Sequence, residues 1–273
     1  MSPVYRVYPR KKKSFLSGLS VTSSLILVNL VCYFIIILLL NLYGKDFLSN
    51  NIAINPELIL SGKNLWTFLT SMFAHVDLFH IFVNMFSLFF IGNFLEKIIG
   101  RKRFFWVYLI SGFLGGIFFV FGSLIFGELG ISALGASGAI FGVLGVLALI
   151  VPFTKIYLIV GPLIVIILDS ILSLIFPSSS GLFSSIANIL ILIMVFSLFS
   201  PFNSTRKIAI PLKLQMWVLP IVAIVPLIII GFYVDLPISN SGHLGGLVAG
   251  IIYGIYLRQK FPNKINAISK HFS

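Results

Sequence analysis

Long apolar runs, separated by short polar or basic segments, organise this chain of 273 residues. A membrane-spanning helix needs about 20 apolar residues, and eight runs reach or approach that length. They occupy residues 22–43, 78–95, 104–126, 136–153, 156–176, 183–199, 214–234 and 243–257. This pattern predicts an all-α, polytopic membrane helix bundle. We place one membrane domain at 21–260, between a basic tail at 1–20 and a second tail at 261–273.

The composition supports a membrane protein. Hydrophobic residues make up 59% of the chain and charged residues only 10%, whereas soluble domains contain about a quarter charged residues. One further apolar stretch, at residues 65–73, is too short to span a bilayer and is expected to lie at the interface or to dip part way into the membrane.

The basic residues indicate the topology of the chain. The net charge of +12 comes from residues between the apolar runs and at the termini, not from one patch of the kind that binds nucleic acid. With the N-terminus inside, only Lys45 and Lys63 face outside, which fits the positive-inside rule. We therefore expect a multi-pass protein of the cell membrane, surrounded by the lipid bilayer, with both termini cytoplasmic.

The number of spans depends on an inserted apolar segment at about 155–200. Ser137 and His243 both begin apolar runs on the predicted outer side, so an odd number of crossings must separate the end of the first run from the start of the second. Three apolar segments lie between them, divided by polar turns at 177–181 and 201–207. We favour eight spans, with six as the alternative if residues 156–199 form a re-entrant hairpin.

Two glycine-rich boxes contain the candidate chemistry. Ser137 lies in GASGAIFG (135–142) and His243 in GHLGGLVAG (242–250). A serine becomes nucleophilic when a base removes its proton, and histidine is the usual base. No acidic residue stands next to either box, so the sequence predicts a dyad. Glycines at four-residue spacing would let the two helices approach closely. They are Gly138 and Gly142 in the first box, and Gly246 and Gly250 in the second.

Polar residues elsewhere complete this candidate site. His80 and Asn84 are four residues apart and share one helical face, where they could form an oxyanion hole with the Ser137 amide. Phe141, one turn after Ser137, could pack on the imidazole. Each motif alone is more often structural, but together they fall on one side of the topology. The spacing of His75, Asp77 and His80 does not suit a metal site, and we predict no metal or cofactor.

These residues resemble the pattern of the rhomboid intramembrane serine proteases. The resemblance covers about residues 66–257 and rests on an outer-loop histidine (His75), His80-x-x-x-Asn84, Gly135-Ala-Ser137-Gly138 and His243-x-x-Gly246-x-x-x-Gly250. It implies a six-helix core in which Ser137 is the nucleophile and His243 the general base, while His80, Asn84 and the Ser137 amide hold the oxyanion. Supporting positions are His75, Gly135, Gly138, Phe141, Asn240, Gly246 and Gly250. The implied substrates are transmembrane proteins, cleaved in or near their membrane helix through an acyl-enzyme at a site that opens to the outer face.

The sequence departs from the family pattern at two places, and other functions stay open. Trp66-Thr67 replaces the Trp-Arg pair common in the family, and the segment before the last helix is longer than six spans require. One alternative is a catalytically silent rhomboid-like protein that binds membrane clients. Another is a transporter with Asp169 and histidines as relays, which the scarcity of intramembrane charge and the absence of a sequence repeat disfavour.

Overall fold

The computed structural model describes residues 18–231 and 239–272, and the chain there is predominantly helical. The helices are α1 (Val21–Asn51), α2 (Pro56–Leu60), α3 (Thr67–Thr70), α4 (Leu78–Ile99), α5 (Arg101–Phe126), α6 (Ser137–Ile150), α7 (Val160–Ile175), α8 (Ser180–Ser197), α9 (Asn203–Arg206), α10 (Leu219–Gly231), α11 (Asn240–Lys260) and α12 (Pro262–His271). A π turn at Leu88–Gly92 lies within α4, and 3₁₀ turns occur at Ser71–Phe73, Pro177–Ser179, Lys207–Ala209 and Met216–Val218. The prediction of a polytopic helical membrane bundle is confirmed.

Several helices are long and apolar enough to cross a bilayer. Within the described residues these are α1, α4, α5 and the segment Pro177–Ser197. α1 extends past the predicted end at residue 43 and kinks at Gly44, whose φ is +80°. Most of the basic tail (1–17) and the predicted end of the seventh span (232–234) lie outside the described residues.

The centre of the bundle is α6, which is almost entirely buried between α5 and α11. Its close contact with α11 is possible because glycines of α11 lie against backbone atoms of α6. A Cβ on Gly246 would overlap the Gly138 carbonyl oxygen, and one on Gly250 would overlap that of Gly142. On the α5 side, a Cβ on Gly115 would lie 2.9 Å from the Gly242 carbonyl oxygen. The small residues therefore set the distances among three helices.

Glu96 anchors the start of α1. Its carboxylate accepts hydrogen bonds from the Val21 amide (2.9 Å), the Thr22 amide (2.8 Å) and the Thr22 hydroxyl (2.6 Å). The first amides of a helix have no partner within the helix and carry partial positive charge. A buried carboxylate from α4 supplies that partner for α1, and Arg101 contacts it at 3.8 Å.

The inserted segment begins and ends in a two-stranded ribbon. Strand β1 (Lys155–Ile159) pairs antiparallel with β2 (Pro211–Gln215), with Lys155 opposite Gln215. The predicted helices starting at 156 and 214 are wrong at these residues, where alternating side chains and a distant partner favour strands. Because the two ends of the insertion lie side by side, an even number of crossings separates them. Both six and eight spans satisfy this, and eight spans stays a prediction.

Between the strands, α7 and α8 form a helical hairpin. The Ser184 hydroxyl of α8 donates to the Asp169 carboxylate of α7, at 3.1 and 3.3 Å to its two oxygens. Near the end of α8, the ring of Phe196 lies 5.9 Å from that of Phe82 in α4. The hairpin thus contacts the flank of the bundle.

Two further segments, one between α1 and α4 and one at the C-terminus, cover opposite ends of the bundle. The apolar stretch at 65–73 forms α3 and a 3₁₀ turn, too short to span, and the Trp66 indole donates to the Asn51 carbonyl at 3.0 Å. At the other end, the predicted tail contains helix α12. Its Ile265 is buried, and Phe272 packs edge-on against Phe94 at 5.2 Å.

Candidate active site

Ser137 and His243 meet although 106 residues separate them. Ser137 is the first residue of α6 and His243 lies in the first turn of α11. A hydrogen bond of 2.8 Å joins Ser137 Oγ and His243 Nε2, within the range expected for a nucleophile and its base. The glycine contacts between α6 and α11 make this approach possible.

The imidazole of His243 is held by packing. Its ring stacks on Phe141 with 4.5 Å between centroids and 23° between planes. The histidine is only 8% exposed, and its Nδ1 makes no hydrogen bond to any residue within 18–231 and 239–272. Ring stacking, rather than a carboxylate among these residues, orients the imidazole.

Gly135 shapes the chain before Ser137. Its φ is +123°, which disfavours any residue with a side chain, and its amide donates to the Ser71 carbonyl at 2.8 Å. A Cβ at this position would lie 2.8 Å from His80 Cε1 and 3.9 Å from Ser137 Oγ. The His80 imidazole therefore packs against the backbone beside the serine hydroxyl.

His75 supports the same loop from the connection between α1 and α4. It is fully buried, its Nε2 accepts a hydrogen bond of 3.5 Å from the Ala136 amide, and its ring meets that of His80 edge-on at 4.9 Å. Burial, assisted by the proximity of His80, lowers the pKa of His75 to about 3. His75 is therefore neutral near pH 7, as an acceptor for the Ala136 amide must be.

Asn84 and Asp77 both form hydrogen bonds with the backbone of His80. Asn84 is buried, and its Nδ2 donates to the His80 carbonyl at 2.9 Å, which leaves the second amide hydrogen of Nδ2 for another partner. The Asp77 carboxylate accepts from the His80 amide at 2.6 Å and caps α4. The amides of the first turn of α6 lack intrahelical partners. The arrangement is suited to holding an oxyanion.

A cavity of about 40 Å³ lies beside the dyad, large enough for water. Of the five polar residues predicted for the site, Ser137 and His243 line this cavity, whereas His75, His80 and Asn84 do not. Its other walls come from α5, from the loops before α6 and α11, and from the connection between α1 and α4.

Some residues around the site were not identified from the sequence. Gly112 and Gly115 line the cavity from α5, and the run GFLGG (112–116) was a usable signal, since it repeats the small-residue spacing of the other two helices. Ser239 also lines it and caps α11 by accepting from the Gly242 amide at 3.1 Å. Asn240, expected near the catalytic histidine, is the first residue of α11. Among the described residues, no group of three or more His, Cys, Asp or Glu side chains could hold a metal ion.

Comparison with known proteins identifies one matching family and several relatives with related names. The family model described as the Rhomboid domain matches residues 62–199 and 157–260, more than half of the chain. RHOMBOID-like protein 1 of Arabidopsis thaliana is 38% identical over 88 residues, which cover 32% of this chain and 21% of that protein. From the same organism, RHOMBOID-like protein 12, mitochondrial, is 30% identical over 111 residues (40% of this chain, 32% of the relative). Inactive RHOMBOID-like protein 8 is 37% identical over 62 residues (23% and 18%). The chain thus spans about a third or less of the length of these relatives.

Proposed function

This chain belongs to the rhomboid family, and on that basis we propose that it is a serine endopeptidase that cleaves transmembrane proteins in or near their membrane helix. The observation that carries the proposal is the 2.8 Å hydrogen bond between Ser137 Oγ and His243 Nε2. A serine and a histidine in direct contact at the ends of two closely packed helices are the minimum for acyl transfer.

The reaction would follow the course of other serine hydrolases. His243 Nε2 takes the Ser137 proton as Oγ attacks the scissile carbonyl carbon, and the resulting imidazolium returns that proton to the leaving amine. The acyl-enzyme on Ser137 is then hydrolysed by a water that His243 activates. The stack with Phe141 would keep the ring in register through both steps.

The oxyanion of each tetrahedral intermediate needs donors opposite the base. We assign this role to the Ser137 amide, to the His80 side chain, which lies beside Gly135, and to the Asn84 side chain one helical turn after His80. His75, which contacts both the Ala136 amide and the His80 ring, is a positioning residue for this group.

The length of α6 supports a site below the membrane surface. Its 14 residues rise about 21 Å, whereas the hydrocarbon core is about 30 Å thick. A helix that reaches one surface therefore starts within the bilayer at its other end, which we assign to the outer face of the cell membrane. Water must reach Ser137 through polar surroundings, and the cavity at Gly112 and Gly115 offers such a place.

A silent client-binding protein is the alternative, and one relative is named inactive. Cleavage of transmembrane peptides in liposomes separates the two functions. We expect the parent and Ser111→Ala, a matched change of another buried serine, to cut a library of membrane helices rich in small residues. Ser137→Ala should bind the same helices and leave them intact. Binding without cleavage by all three proteins would favour the silent protein, and equal cleavage by Ser137→Ala would sink the proposed mechanism.

A further inference from the structure

A second, larger cavity lies at the end of the bundle opposite the dyad. Its volume is about 580 Å³, within the range of small-molecule pockets. It is enclosed by the last turn of α6, the turn that follows it, the last turn of α11, the 3₁₀ turn before α10 and one face of α12. The lining residues are Leu149, Ile150, Pro152, Phe153, Trp217, Arg258, Ile265, Asn266, Ser269 and Lys270.

The surroundings of this cavity are those of a membrane–water interface. Trp217 and Phe153, at its rim, are 45% and 55% exposed although both are large aromatic side chains. Tryptophan, whose apolar ring carries a polar N–H, is enriched at the level of lipid headgroups. Among the described residues, this end of the bundle also carries Arg103, which lies over the Phe261 ring, together with Lys155 and Lys260. The positive-inside rule therefore assigns it to the cytoplasmic leaflet.

The wall combines two cations with an apolar floor. Arg258 Nη1 is 3.4 Å from the Leu149 carbonyl oxygen, and both Arg258 and Lys270 are exposed. Ile150 and Ile265 form a buried apolar base. No carboxylate occurs among the lining residues, and the ion pair of Glu96 with Arg101 involves neither cation.

We propose that this pocket binds the headgroup of an anionic phospholipid from the cytoplasmic leaflet. Arg258 and Lys270 would contact the phosphate, and Asn266 at the rim is available to a headgroup hydroxyl. Ile265, Phe153 and Leu149 would contact the glycerol and the start of the acyl chains. The apolar wall favours a lipid over a free phosphate ion, which would gain nothing from it.

The lipid would also hold α12 in place. Ile265, Asn266, Ser269 and Lys270 come from α12, whereas the opposite wall comes from α6 and the turn after it. A ligand between these walls links the C-terminal helix to the central helix of the bundle. This inference does not depend on proteolytic activity.

The test uses the full chain in detergent and counts bound ligand by native mass spectrometry. Short-chain phosphatidylglycerol is titrated against the parent, the double variant R258Q/K270Q and the matched double variant K102Q/K264Q, which removes two exposed cations outside the pocket. Each cation near an anionic surface contributes about a fivefold change in affinity, so we expect about a 25-fold loss for R258Q/K270Q and little change for the control. Thermal unfolding checks that the variants fold. If R258Q/K270Q does not fold, the single variant K270Q, at an exposed position, replaces it.

Inorganic phosphate and short-chain phosphatidylcholine are titrated in parallel. Weak binding of both supports an anionic lipid site. Equal losses in the two double variants, an undiminished affinity of R258Q/K270Q, or phosphate binding as tight as that of phosphatidylglycerol would overturn the proposal.

Discussion

His75 contacts two parts of the candidate site and is itself withdrawn from solvent. It accepts from the Ala136 amide and lies edge-on to His80. Since its pKa is about 3 in the folded protein and about 6.5 in an unfolded chain, the unfolded state binds more protons between these values. The contribution of His75 to stability is therefore constant above pH 6.5 and falls as the pH drops from 6.5 toward 3.

The variant His75→Gln should reduce this sensitivity to acid. Lowering the pH from 7 to 5 costs the parent about 2 kcal/mol through His75, and the variant should lose less over the same interval. Thermal unfolding in detergent at the two pH values measures the difference. His271→Gln, an exposed histidine in α12, is the matched control and should behave as the parent. An identical acid response in parent and His75→Gln would contradict the assignment.

Glu96 offers a second test on a single side chain. Glu96→Gln keeps the size of the side chain but loses the charge, and its NH₂ group cannot accept from the Val21 and Thr22 donors. We expect a loss of about 2–3 kcal/mol in the free energy of unfolding, measured with denaturant in mixed micelles. Glu128→Gln, the same change at an exposed position, should cost less than about 0.5 kcal/mol. Equal effects would show that α1 does not depend on this cap.

The sequence predicted the meeting of Ser137, Phe141 and His243 because the two glycine-rich boxes match a known family pattern, although 106 positions separate the serine from the histidine. It did not predict that Glu96 caps α1, because no motif at Val21 and Thr22 marks them as partners of that carboxylate. The walls of the cavity beside the dyad were not predicted either, since they depend on how Gly112 and Gly115 of α5 pack against other helices.

Helix packing around α6 depends on the absence of side chains at a few positions. Gly246→Ala would place a methyl group on the Gly138 carbonyl and separate α6 from α11. We expect a loss of about 1–3 kcal/mol in stability, together with a longer distance from Ser137 Oγ to His243 Nε2. Thermal unfolding and a crystal structure of the variant measure the two effects.

The control for this variant is Gly181→Ala in α8, where an added Cβ meets nothing within 4 Å. It should leave the unfolding temperature unchanged or raise it slightly, because alanine favours helix more than glycine does. A Gly246→Ala protein as stable as Gly181→Ala would mean that α6 and α11 are not held at their closest approach.

Three elements were not predicted from the sequence: strands β1 and β2, and helix α12. β1 overlaps the start of one apolar run and the last two residues of β2 overlap the start of another, where a hydropathy pattern predicts helix, and each strand pairs with a distant partner. Helix α12 is short and polar, so the sequence pattern predicts a tail at these residues. Its stability comes from Ile265 and Phe272 packing on the bundle rather than from local preference.

In the whole molecule, the pairing of β1 with β2 brings the two ends of the inserted α7–α8 hairpin together. If α7 and α8 cross the bilayer, the turn at Ser179 faces the outer side, and the protein has eight spans. In a Cys32→Ala background, which removes the only cysteine, Ser179→Cys should then react with an impermeant maleimide from the outer side of sealed vesicles.

Two further cysteine variants serve as the accessible and the protected control for this measurement. Ser61→Cys, in the outer connection, should be labelled, and Ser204→Cys, in the predicted inner turn, should not. Labelling of Ser179→Cys at the level of Ser61→Cys confirms two crossings. Protection at the level of Ser204→Cys would contradict eight spans and favour six.

Ser137, activated by His243, is the proposed nucleophile. A fluorophosphonate should react with this serine in the folded, detergent-purified protein, and peptide mass spectrometry locates the adduct. We predict one adduct on Ser137, absent from Ser137→Ala, strongly reduced in His243→Ala and retained in Ser111→Ala. A folded parent protein with no adduct on Ser137, or with equal labelling in Ser137→Ala, would show that Ser137 is not the nucleophile.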